Sequence, residues 1–87
     1  MRVLIYYKGE KRFKVLEAHG LECTPYPERG RVAVELHTPI GGVVLEAEGD
    51  VEEIVEEIVD RILNDLLSEG GPAAQVVLRN VVRERWR

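Results

Sequence analysis

The sequence predicts an α+β fold: an antiparallel sheet of three to four strands, covered by a long amphipathic helix and a second helix at the C-terminus. Three observations carry this. Residues 31–38 and 43–48 alternate in polarity around a Pro/Gly loop, as the strands of an antiparallel hairpin do. Residues 51–67 repeat apolar side chains at i, i+3, i+4 and i+7, the stripe of a helix with one buried face. And 87 residues suit a single domain, 1–87, with a modest core that a partner subunit would help to complete.

Taken in order, residues 2–7 and 12–18 (RVLIYY and RFKVLEA) read as a hairpin. Gly9-Glu10 would form a two-residue type II′ turn. That register sets Tyr6 opposite Phe13 and Leu4 opposite Val15 on one face, with Val3, Ile5, Tyr7, Arg12, Lys14 and Leu16 on the other. The rival reading makes 10–19 a short helix stopped by Gly20, but Phe13, Val15 and Leu16 form a poor helical stripe. Residues 20–30, with Pro25 and Pro27, read as a connection, because proline donates no ladder hydrogen bond. In strands 31–38 and 43–48 the apolar faces are Val32, Val34 and Leu36, and Val43, Leu45 and Ala47.

The helix is expected over about 50–69. Asp50 is a good N-cap, with Glu53 three residues later as in a capping box. Val51, Ile54, Val55, Ile58, Val59, Ile62, Leu63, Leu66 and Leu67 make the seam, and Gly70, Gly71 and Pro72 stop it. Residues 73–85 place Ala74, Val77, Leu78, Val81 and Val82 on one helical stripe. A helix is the preferred reading there, although the valines also suit a strand.

Charge is distributed plus, minus, plus. Residues 1–14 hold five Lys/Arg against one Glu, 46–69 hold ten acids against one Arg, and 79–87 hold four Arg against one Glu. The net charge of −4 argues against a general nucleic-acid binder. Cys23 is the only cysteine, so no internal disulfide can form and a reducing, cytoplasmic setting is expected. VLIYY at 3–7 is too short for a signal-peptide core or a membrane span. Few amides and hydroxyls beside abundant Glu, Arg and Val give a thermophile-like composition.

No residues converge on catalysis, and no enzyme activity, cofactor or metal is expected. His19, Cys23 and His37 lack the spacing of a zinc site, and nothing near Cys23 marks an activated thiol. Gly41-Gly42 lack the rest of a phosphate loop. Glu52, Glu53, Glu56, Glu57 and Asp60 lie opposite the seam. They read first as a solvated face and second as a docking face for a basic partner, since their i, i+4 repulsion would be relieved on binding. Leu4, Tyr6, Phe13 and Val15 are interface candidates, because a sheet apolar on both faces can bury only one against helices. Lys8, Lys11, Arg12 and Lys14 interleave with aromatics over 6–14 and are the candidates for an alternative, a small RNA- or DNA-binding domain.

Ala47, Glu48, Asp50, Ile54, Ile58 and Ile62, in a hairpin followed by a helix over residues 31–67, resemble the small dimerisation subunit family of the KEOPS tRNA-modifying complex. This chain has Val55 and Val59 where that family carries Arg and Asn. The resemblance implies a non-catalytic accessory subunit that dimerises and recruits other chains. The expectation is therefore an interaction or assembly module, acting as a homo-oligomer or as one protein subunit of a complex.

Overall fold

A computed structural model of the chain describes residues 1–67 and 75–87. The elements run β1 (Arg2–Tyr7), β2 (Phe13–Glu17), β3 (Gly20–Tyr26), a 3-10 turn (Pro27–Arg29), β4 (Arg31–Thr38), β5 (Gly41–Glu48), α1 (Val51–Leu67) and β6 (Gln75–Trp86). The fold is α+β, as expected, but the sheet has six strands in the order β2-β1-β6-β5-β4-β3. It is mixed rather than antiparallel, because β1 and β6 run parallel.

Two differences enlarge the sheet. Residues 20–26 form a strand rather than a connection, which proline permits because β3 lies at the edge, where a missing donor need not break a ladder on both sides. Pro27 instead opens the 3-10 turn, where its fixed φ is suitable. The second correction is larger: the expected C-terminal helix over about 73–85 is strand β6. It fills the slot between β1 and β5, which would otherwise both present open edges, and its four valines favour a pleated surface. Its inward residues are Val76, Leu78 and Val81, and a bulge with Asn80 at φ +55 adds a residue between the last two. That irregular spacing is what imitates a helical stripe.

The expected hairpin register of β1 and β2 is present, with Tyr6 opposite Phe13 and Leu4 opposite Val15. Its turn is shifted by one residue. The chain reverses over Lys8 and Gly9, with the Glu10 N–H donating to Tyr7 O at 3.2 Å, while the Lys8 N–H donates to Val81 O at 2.9 Å. Gly9 therefore takes the third turn position, at φ +78, which an L-residue resists.

The sheet curls strongly. Flat, its six strands would separate the two edges by about 24 Å. Yet the edge strands β2 and β3 are consecutive in the chain, and Glu17 and Gly20 can lie no more than about 11 Å apart. Ala18 continues the ladder to Met1 (N–H to O, 2.8 Å) while the His19 N–H already bonds His37 O at 2.9 Å. Residues 13–26 thus act as one bent strand that leaves β1 and joins β4. The curl encloses Val3, Ile5, Val32, Val34, Leu36, Val43, Leu45 and Val76, all without solvent exposure.

α1 packs against β6, β3 and β4, spanning the open side of the curl. The Glu53 N–H donates to Asp50 Oδ1 at 3.2 Å, so Asp50 caps it as expected. Ile58 is buried, and Val51, Ile54, Val55 and Ile62 pack beside the core. The seam is narrower than expected: Val59 and Leu63 remain 44% and 49% exposed. The side chains of Leu66 and Leu67, and the stop at Gly70, Gly71 and Pro72, lie outside the described residues. Among the described residues no helix is long and apolar enough to cross a membrane.

Candidate interaction surface

Alternation along β1 sends Val3 and Ile5 into the curl and leaves Leu4 and Tyr6 half-buried on its outer face. Across the ladder, Leu4 faces Val15 on β2 and Val77 on β6, while Tyr6 faces Phe13. The Tyr6 and Phe13 rings stack with centroids 5.3 Å apart, and the Arg79 guanidinium lies 5.3 Å from the Tyr6 ring. Phe13 is 53% exposed and Val15 46%. All four interface candidates are therefore brought together on the outer face of β2–β1–β6. Val77 and Arg79 extend the patch. Sequence reasoning missed them because their place depends on a parallel pairing between residues more than 70 positions apart.

This apolar strip ends at β2, which has no strand partner on its far side among the described residues. The Arg2–Glu17 pair (3.3 Å) closes one end. On β4–β5–β6 the same outer face is instead laced with ion pairs: Arg31 with Glu46 and Glu48, Arg83 with Glu46, and Arg87 with Glu35.

The four nucleic-acid candidates do not form one positive face. Lys8 pairs with Glu48 (2.9 Å), Arg12 with Glu10 (3.6 Å) and Lys14 with Glu84 (3.1 Å); Lys11 is exposed and unpaired among the described residues. Lys14 belongs to a polar strut on the opposite side of the hairpin. There Glu84 also accepts hydrogen bonds from the Tyr7 hydroxyl and from Trp86 Nε1 (2.9 Å). Burial raises the Glu84 pKa, but donation from Tyr7, Trp86 and Lys14 outweighs it and holds the carboxyl below its ordinary range. Burial, reinforced by the bond to Glu84, pushes the Tyr7 hydroxyl well above its ordinary value.

Glu52, Glu53, Glu56, Glu57 and Asp60 are all exposed, and none is ion-paired among the described residues. They are separate from the apolar patch, although Arg79 lines the cleft between α1 and β6 together with Glu53 and Glu57. Cys23 sits half-buried beside the core, where burial pushes its thiol pKa up, the opposite of activation. Compared with known proteins, the chain matches no family model, no curated protein and no solved structure.

Proposed function

We propose that this chain is a non-catalytic interaction module that assembles through the outer face of β2–β1–β6, most simply with a second copy of itself. The observation that carries this is the half-exposed Phe13 and Val15 on an edge strand whose far side has no strand partner among the described residues, continuous with Leu4, Tyr6 and Val77. Contiguous apolar surface beside aromatic and arginine side chains is the composition of an interface core. A second copy fits because an edge strand is self-complementary in antiparallel orientation, giving a closed twofold contact. The reading agrees in kind with what the resemblance to the KEOPS dimerisation subunits implies, a scaffolding subunit. The acidic face of α1 would remain available to a further, basic partner.

Light scattering at tens of micromolar tests it. A dimer is expected, and Phe13→Glu with Val15→Lys should weaken association at least about a hundredfold, since central aromatic anchors each contribute roughly 2 kcal/mol or more. A wild-type chain that stays strictly monomeric and recovers no partner would sink the proposal.

A further inference from the structure

We propose that Glu22, Glu35 and His37 bind a divalent first-row transition-metal ion of the zinc type on the outer face of β3–β4. The register places Glu22 directly opposite Glu35, and Gly20 opposite His37 one rung further along the same face. A ligand atom from each of Glu22, Glu35 and His37 lies within 4.8 Å of the other two. His19 stands next to His37, their ring centroids 6.4 Å apart.

Three features point to a cation. Two carboxylates directly opposed across a ladder destabilise it. Arg87 Nη1, 2.8 Å from Glu35 Oε1, neutralises only one of them, and Glu22 has no ion-pair partner among the described residues. The position facing His37 carries no side chain: a Cβ on Gly20 would come within 3.1 Å of His37 Cδ2. Glycine there lets the imidazole lie across the neighbouring strand, toward the carboxylates.

The donor set selects the ion. An imidazole nitrogen with two carboxylate oxygens suits Zn²⁺, Co²⁺ or Ni²⁺, whereas Ca²⁺ and Mg²⁺ prefer oxygen alone. Cys23 lies opposite Val34, whose side chain is fully buried, so it faces the core and is not a ligand. The ion would clamp edge strand β3 to β4 at the end where the bent strand changes partners. This site is separate from the apolar patch and does not depend on self-association.

Isothermal titration of the whole chain with Zn²⁺ tests the inference, beside Co²⁺ visible absorption as a report on coordination. One saturable equivalent is expected, with a thermal midpoint that rises with Zn²⁺. His37→Ala and Glu22→Gln should each weaken binding at least about tenfold, by comparison with the loss on altering even a ligand's supporting contacts. Cys23→Ser should leave it unchanged. Circular dichroism of each variant separates ligand loss from unfolding. Unsaturable binding, or binding that survives both substitutions in folded protein, would overturn the site.

Discussion

The outer face of the sheet has two halves that differ in chemistry while sharing one core. Over β4–β5–β6 it carries Arg31, Glu46, Arg83, Glu35 and Arg87 in ion pairs. Over β2–β1–β6 it carries Leu4, Tyr6, Phe13, Val15 and Val77. Both halves alternate, and both turn fully buried side chains inward: Val3, Ile5 and Val76 in one, Val32, Val34, Leu36, Val43 and Leu45 in the other. Alternation alone therefore tells which side chains enter the core. Only the composition of the outward set distinguishes a surface built for water from one that gains by being covered. The boundary lies on β6, at the bulge around Asn80: before it the strand turns Val77 outward, and after it Arg83.

The contrast between inner and outer positions can be broken most forcefully at Leu36, which is fully buried. Leu36→Ala should cost about 2–5 kcal/mol in chemical denaturation, while Phe13→Ala, measured in monomer, should change stability by no more than about 0.5 kcal/mol. Equal costs would mean that Phe13 is core and not interface. The boundary itself is tested at Asn80, held at φ +55. Asn80→Val should cost about 1–2 kcal/mol, because a β-branched residue resists the left-handed region, whereas Asn80→Gly should be tolerated.

A third measurement concerns the strut that ties the hairpin to β6 through Tyr7, Lys14 and Glu84. The Glu84 pKa is lowered in the folded chain. Its contribution is therefore present above the unfolded carboxylate value of about 4.3 and is lost as pH falls through the lower folded value. Unfolding free energy followed against pH should show that acid-side decline, and Glu84→Gln should flatten it while reducing stability at neutral pH. The smallest effect is expected in the charged half. Arg83→Ala, which removes an exposed partner of Glu46, should cost at most about 1 kcal/mol, diminishing with added salt. A larger, salt-insensitive loss would show that this half is more than a solvated surface.

Much of this was legible in the sequence where the governing interactions are local. The β4–β5 hairpin, the helix with its Asp50 cap, and the Leu4–Val15 and Tyr6–Phe13 register all follow from short-range period and turn chemistry. What was illegible depends on distant partners. Residues 20–26, with Pro25, looked like part of a connection because an edge position is a property of the whole sheet. β6 looked helical because its bulge breaks the period of two just where Val81 must face inward beside Ala47. The same limit hid Val77, Arg79 and the Glu22–Glu35 pair, each of which needs a strand register that no local pattern supplies. Val59 and Leu63 were assigned to the seam by spacing alone, but one helix spanning a curved sheet buries a narrower stripe than one lying on a flat layer.

The slot filled by β6 also governs how the chain assembles. Neither β1 nor β5 has its second neighbour until residues 75–86 arrive, so the pairs β1–β2, β3–β4 and β4–β5 need only local contacts while the closing step joins segments far apart in sequence. Folding should accordingly be slow for so small a protein. A chain interrupted before residue 75 would present two sticky strand margins, making it prone to aggregate even with every residue of the first five strands intact.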